Sequence, residues 1–352
     1  MSPEVAFSTH TEPVAAPGQT AAGTSARKAH DLVVLAERYA LVILLAALIV
    51  FFSLLPSTGG SFLTLANLRN VAANEAVIAI AALAAMVPLV AGQFDVSIGA
   101  VLGMVSIAVA ALTVRAGLPV VLALPLGVLL GGGVGAVSGF IVAYLRANSF
   151  IITLGIATMI AGLVSLYTKD QVILGVPQTM VNFGTLNWLG VPRPVWLLVV
   201  VALIVAYLLR YTVYGRHLLS IGSNPRAARL VGIRVPLVVL LSFVVAGVLA
   251  AVAGELEVAR TGSGDAQIGP GFTLSALAAA FLGSTTIRPG QFNVPGTIVG
   301  VLFVAVSVNG LTLAGAADWV DPLFNGTAVV VAVAISTVLA RRRSGAAGDE
   351  LG

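Results

Sequence analysis

The chain is dominated by apolar runs, each close to the length of a bilayer crossing, with little polar sequence between them. A run of about 20 apolar residues spans hydrocarbon as a helix, because only internal hydrogen bonds satisfy its backbone there. Such runs lie near 39–55, 71–91, 96–114, 118–145, 149–168, 195–211, 236–258, 272–287, 295–315 and 322–340. They predict an all-α fold, a polytopic transmembrane helical bundle of about ten spans. The eighth run is short, as a tilted, re-entrant or broken segment would be. Composition points the same way. Charged residues make up 9% of the 352 and hydrophobic ones 59%, against roughly 25% charged in a soluble domain. So few charges cannot coat a water-facing surface.

Ten spans put both ends on one side. With the N-terminus inside, the inner face collects Arg27, Lys28, Arg38, Arg146, Arg210, Arg216, Arg226, Arg229, Arg234, Arg288 and Arg341–Arg343. The outer face receives Arg69, Arg115, Lys169, Arg193 and Arg260, so 13 of the 18 basic residues are inside. This bias predicts that both termini are cytoplasmic. It also accounts for the basic balance without nucleic acid, since the arginines are spread over separate loops. Residues 1–30, rich in Pro, Ala, Ser, Thr and Gly, read as a disordered cytoplasmic tail. Residues 31–343 form the transmembrane domain, and 344–352 a second cytoplasmic tail. The first run lacks the A-x-A-like cleavage site of a secretory signal. Leu55-Pro-Ser-Thr-Gly59 resembles a sortase signal placed at the wrong end of the chain, and reads as a loop.

Little in the chain suits catalysis. It has no cysteine and three histidines, His10, His30 and His217, which exclude disulfides and thiolate metal sites and leave little for imidazole ligation. Its two lysines, Lys28 and Lys169, follow no phosphate-loop glycine pattern, and there is no nucleophile elbow. The chain is therefore expected to be no enzyme and to bind no cofactor. Carboxylates near membrane depth are Glu75, Asp95, Glu255 and Glu257. Asp95 heads the third span, where it can cap the helix and meet its dipole, or serve transport. None of the four lies clearly at the midplane, which disfavours proton or sodium coupling. Ser, Thr and Asn in the spans, among them Asn74, Ser275 and Asn309, suit a hydroxyl-rich path, although Ser and Thr often bond to their own backbone.

Two patterns concern packing and turns. Gly127, Gly131, Gly135 and Gly139 recur every four positions, one ridge of a helix on which a neighbour can approach closely. Tight packing is preferred over a moving interface as the reading of this ridge. Gly92-Gln-Phe-Asp-Val96 is echoed by Gly290-Gln-Phe-Asn-Val294. Each joins two spans on the predicted inner side, and coincidence or similar turn needs is preferred over an internal repeat.

The longest polar interruption after the N-terminal tail is 212–235. It holds Arg216, Arg226, Arg229 and Arg234 and no acidic residue. Asn224 as N-cap, Pro225 at the first helical position and Gly232 as the stop predict a short helix over 226–230. A rigid helix on a basic cytoplasmic loop suggests a handle that another protein grips.

Three stretches carry a resemblance to a known family. Ala91-Gly-Gln-Phe-Asp-Val-Ser-Ile-Gly99 is similar to a G-G-x-D-L-S-x-G segment. Residues 214–233 are similar to the loop F-G-R-x-x-x-A-I-G-x-N-x-x-A-A-x-x-x-G-I, and 259–310 follows the same family's last third. The family is the membrane permease subunit of bacterial ABC sugar importers of the ribose/xylose/galactose type, within the branched-chain amino-acid/sugar permease superfamily. Gln93-Phe94 and 287–293 depart from its commoner, more glycine-rich forms. The resemblance implies a multi-pass chain of the bacterial inner membrane that pairs with a second permease subunit, identical or different. A cytoplasmic ABC ATPase would carry the ATP, and an extracytoplasmic sugar-binding protein would deliver a monosaccharide. It also implies an ATPase-coupling loop that includes Gly215, Arg216, Gly222, Asn224, Ala227, Ala228, Arg229, Gly232 and Ile233, and a second motif of Asp95, Ser97 and Gly99. A branched-chain amino-acid ABC permease is the nearest alternative, and an ion-coupled secondary carrier a more distant one. The scarcity of charged groups along the spans leans towards sugar.

Overall fold

The computed structural model describes residues 21–317, 319–331 and 333–334, with side chains placed from Arg38 onward. Residues 1–20 of the first expected tail and all of the second, with Arg341–Arg343 and the end of the tenth run, lie outside the described residues. The chain divides at Glu37–Arg38 into two units. Helix α1 (Ala21–Leu54) begins within the stretch read as a tail, and its part from Arg38 on belongs to the second unit, which carries the rest of the fold.

That unit is helical, as the apolar runs predict. Its helices are α2 (Gly59–Phe62), α3 (Leu65–Val90), α4 (Ile98–Val114), α5 (Val120–Tyr144), α6 (Ser149–Thr168), α7 (Gln178–Thr185) and α8 (Arg193–Tyr211). They continue as α9 (Val213–Ser223), α10 (Pro225–Leu230), α11 (Val235–Thr261), α12 (Gly269–Gly283), α13 (Val294–Leu313) and α14 (Val320–Val331). Six of them, α3, α5, α6, α8, α11 and α13, are long and apolar enough to cross a membrane. Four shorter apolar helices are the 38–54 part of α1, α4, α12 and α14. Two strand pairs complete the described elements. β1 (Ile173–Leu174) runs antiparallel to β4 (Ser263–Gly264), and β2 (Asn187–Trp188) to β3 (Val191–Pro192).

The centre of the bundle is α3. From Ala76 to Val90 every residue except Ile78 is buried, and the alanines at 76, 79, 81, 82, 84 and 85 let neighbouring backbones come close. Without a hydrophobic drive between helices in lipid, such packing is what holds them together. The glycine ridge does the same for α5 and α11. Gly127, Gly131, Gly135 and Gly139 are buried on α5, and a Cβ at the last three would press on Gly247, Phe243 and Leu240 of α11. At Gly127 it would meet the Glu255 carboxyl, also on α11. Between α12 and α13 the contact runs through Gly283, Gly296 and Gly300. Helix α11 runs from α10 at its start to α7 and β4 at its end, and Gly184 of α7 lies against the Ala259 carbonyl.

Candidate functional site

Helix α8 ends at Tyr211, and Thr212 turns the chain. Its hydroxyl donates to the Leu208 carbonyl at 2.5 Å and accepts from the Gly215 amide at 3.2 Å, which starts α9. A Cβ on Gly215 would overlap the Leu209 carbonyl, so only glycine lets α9 fold back so tightly on α8. One face of α9 is apolar and turned inward. Leu218 and Ile221 are fully buried, while Arg216 is exposed. The Tyr214 hydroxyl is buried without a partner, and burial pushes its pKa up. The loop expected between two spans is thus mostly helix. Its hidden signal is the spacing of Tyr214, Leu218 and Ile221, one face of a helix.

The short helix forms where the local code puts it. Asn224 Oδ1 accepts from the amides of Arg226 at 3.0 Å and Ala227 at 3.1 Å, and Pro225 opens α10. At the other end Gly232 has φ +84. Its amide donates to Arg229 O at 3.0 Å and the Ile233 amide to Ala228 O at 3.1 Å, the paired bonds of a Schellman stop. Ala228 is the buried residue of α10, and Ile233 is half-buried. Gly222, Asn224, Arg226, Ala227, Arg229 and Gly232 are exposed. Beyond them Leu230 is 89% and Val231 76% exposed, an apolar knuckle beside two arginines. No sequence signal singles out these two residues, because an apolar residue in a loop is ordinarily covered.

The second motif is an unwound connection, 91–97, between α3 and α4. Asp95 is buried, and its Oδ1 accepts from the Ser97 amide at 2.9 Å and the Ser97 hydroxyl at 2.6 Å. It thereby holds the turn that leads into α4, while Ser97 occupies the N-cap position without a side-chain cap bond of its own. Around it, Phe94 N donates to Ser149 Oγ, Val96 N to Thr153 Oγ1 and Gly99 N to Thr273 Oγ1, at 3.0, 3.0 and 3.1 Å. A Cβ on Gly99 would collide with Gly269 and Thr273. The turn is thus tied to α6 and α12.

The fold brings the two motifs together. Gly222, at the end of α9, lies against the Val90 carbonyl, and a Cβ there would sit 3.5 Å from the Ala91 Cα. Val90 and Ala91 lead directly into Gly92 and Asp95. The echoed turn joins the same cluster, because Phe94 and Phe292 pack on Phe281 with ring centroids 5.9 and 5.5 Å away. Gly92 and Gly290 both adopt positive φ, +74 and +78. Asn293 takes the Gly296 amide at 2.8 Å, as Asp95 takes that of Ser97. The echo therefore marks two turns that meet at one aromatic ring, Asn293 capping α13 directly and Asp95 bracing the N-cap Ser97 of α4. Arg38, Arg210, Arg216 and Arg288 surround a cavity of about 480 Å³ beside them, with no acidic residue in its lining.

At the far end of α11, Arg260 grips Glu257 through two bonds of 3.0 and 3.1 Å and also bonds Asn74. Glu257 is therefore ion-paired. No group of three or more potential metal ligands occurs among the described residues.

Residues 67–335 match the family described as "Branched-chain amino acid transport system / permease component". The chain belongs to this family. The ribose import permease protein RbsC of Escherichia coli K12 is 32% identical to the permease over 295 residues, 83% of this chain and 92% of the relative. The D-allose transport system permease protein AlsC of the same strain is 28% identical over 318 residues, 90% and 97% of the two chains. The L-arabinose ABC transporter permease protein AraH of Azospirillum brasilense is 29% identical over 285 residues, 81% and 84%. No solved structure matches the permease at a significant level.

Proposed function

We propose that this permease is the membrane subunit of an ATP-driven importer that moves a monosaccharide into the cytoplasm. The observation that carries the proposal is α10, a helix capped at both ends that displays Arg226, Arg229, Leu230 and Val231. Through α9 it is braced on the end of α3 and the Asp95 turn. The sequence carries no phosphate-loop pattern, so such a handle suits a separate cytoplasmic ATPase. An extracytoplasmic binding protein delivers the sugar, and a second permease subunit, the same chain or another, completes the channel. The permease itself binds no cofactor. Its setting is the bacterial inner membrane, where the six long helices and the four shorter apolar ones make ten crossings and both termini are cytoplasmic.

The mechanism follows from the contacts. Two ATPases that close on ATP pull α10, and α9 passes the movement to the end of α3 at Gly222, from which the Asp95 turn leads into α4. A ligand shifts a two-state equilibrium only by its differential affinity for the two states, and here ATP supplies that difference. The sugar assignment is supported by the names of the ribose, allose and arabinose relatives. The family description also names branched-chain amino acids, which makes their import the second reading. Reconstituted permease, ATPase and binding protein decide between them by uptake of labelled sugars against leucine. Deletion of 224–232 should stop uptake while the bundle still folds. Full uptake after that deletion would refute the coupling role.

A further inference from the structure

Four arginines that the sequence scatters over separate segments meet around one cavity of about 480 Å³. Arg38 comes from α1, Arg210 from the end of α8, Arg216 from α9 and Arg288 from the connection between α12 and α13. No carboxylate lies in the lining. Among the described residues the one ion pair is Arg260–Glu257, at the far end of α11. Like charges gathered without a counter-charge repel, and an anion among them relieves that repulsion. Backbone bonds fix two of the four to each other. The Ile287 amide and the fully buried Thr286 hydroxyl each donate to the Arg38 carbonyl at 2.9 Å. Asn293 Nδ2 donates to the Thr286 carbonyl at 3.3 Å. Ile287 stands at φ +61, a conformation that a β-branched residue adopts only where its surroundings impose it. Arg288 follows directly.

The cavity also sits at the depth of lipid headgroups. Arg210 lies in the last turn of a membrane-length helix. Tyr207 and Tyr211 beside it are each 64% exposed and stack with ring centroids 5.8 Å apart. The Arg210 guanidinium carbon is 5.6 Å from the Tyr211 ring, as that of Arg38 is 5.5 Å from the Tyr39 ring. Exposed tyrosines at span ends mark the membrane–water interface. The rest of the lining is largely apolar, with Val90, Leu209, Leu219 and Val294. Leu203, Ala206 and Arg210 share one face of α8 by their spacing, and Leu203 is exposed. An apolar track therefore leads from the arginines towards the bilayer core.

We propose that this cavity seats the phosphate headgroup of an anionic phospholipid, held by Arg38, Arg210, Arg216 and Arg288, with an acyl chain along Leu203. With both termini cytoplasmic, as proposed above, the lipid belongs to the cytoplasmic leaflet. Guanidinium groups hold phosphate oxygens by paired, charge-assisted hydrogen bonds. The lipid also uses what surrounds the charges. An acidic protein segment would use the arginines but neither the tyrosine rim nor the apolar track. Val90 in the cavity wall is the residue on which Gly222 packs, so a bound lipid braces the joint between α9 and α3. Binding does not depend on which solute the permease carries.

The test uses the full-length permease in detergent, stripped of lipid and titrated with phosphatidylglycerol, phosphatidylcholine or sn-glycerol 3-phosphate. Native mass spectrometry counts the bound molecules, and the melting temperature reports their effect on the fold. Phosphatidylglycerol should bind and raise the melting temperature. Phosphatidylcholine, whose headgroup is neutral overall, and glycerol phosphate, which has no chains, should each bind about tenfold more weakly or less. Arg210→Gln combined with Arg288→Gln should weaken phosphatidylglycerol about tenfold or more, the weight of a hydrogen bond to a charged group. Arg146→Gln combined with Arg234→Gln removes the same charge from the same predicted side, outside the cavity, and should leave binding unchanged. Should the cavity pair fail to fold, Leu219→Glu, at a position 43% exposed on α9, sets a carboxylate in the lining and should abolish the binding. Equal affinity for phosphatidylcholine, or no lipid bound, overturns the proposal and leaves the arginines to an acidic partner surface. Equal affinity for glycerol phosphate overturns the lipid in favour of a free phosphate. Equal loss in the two arginine pairs, or wild-type binding by Leu219→Glu, overturns the location.

Discussion

Asn224 and Gly232 are the two positions on which α10 depends. Asn224→Ala removes both cap bonds and should cost about 1 kcal/mol of helix stability. Asn224→Asp keeps an acceptor there and should cost little. Hydrogen exchange over 225–233 reads the difference, and uptake should fall only in the alanine variant. Gly232→Ala forces a side chain into φ +84, a conformation that costs about 1–2 kcal/mol for an L-residue. Gly222 matters for another reason. A side chain there strikes the Val90 carbonyl, so Gly222→Val should cut uptake while ATP hydrolysis by the assembled complex continues. Gly133→Ala is the control, because nothing lies within 4 Å of its added carbon. Asn224, Pro225 and Gly232 are readable from sequence because capping is local. The reason for Gly222 is not, since its partner lies 132 positions away in the chain.

The helices divide in the same way. Each apolar run coincides with a helix among the described residues, and several match closely, as for 149–168 and Ser149–Thr168. Hydropathy alone specifies this, because a span must satisfy its own backbone. Helix α9 is the exception. Its polar residues mask a helical period carried by Tyr214, Leu218 and Ile221, and it needs α3 and α8 to cover that face. The glycine ridge is a packing surface, and it states its requirement plainly. Gly135→Val would drive a side chain into the backbone of Phe243 and should destabilise the bundle by about 1–3 kcal/mol, read as a lower melting temperature in detergent. Asp95 does a related job in its turn. Asp95→Ala frees the Ser97 amide and should loosen the start of α4, whereas Asp95→Asn retains an acceptor and should have the smaller effect on the same melt.

The bundle has two ends that separate surface experiments can address. The chain is free of cysteine, so a single introduced thiol reports its own location. Val231→Cys beside α10 should react with a membrane-impermeant maleimide only from the cytoplasmic side. Leu189→Cys, at a position 93% exposed in the β2–β3 turn, should react only from outside. Labelling of both from one side would refute the ten-span orientation. Apolar run length, the distribution of arginines and the capping residues are local properties, and they already specify a helical membrane chain, its predicted orientation and the short helix at 225–230. Which surfaces meet is a property of distant residues. Packing alone sets Gly222 on Val90, joins the two echoed turns at Phe281 and leaves Asn325 Oδ1 buried without a partner. No local pattern encodes these contacts, because each depends on backbones separated in sequence approaching closely enough to exclude a side chain or strand a polar atom.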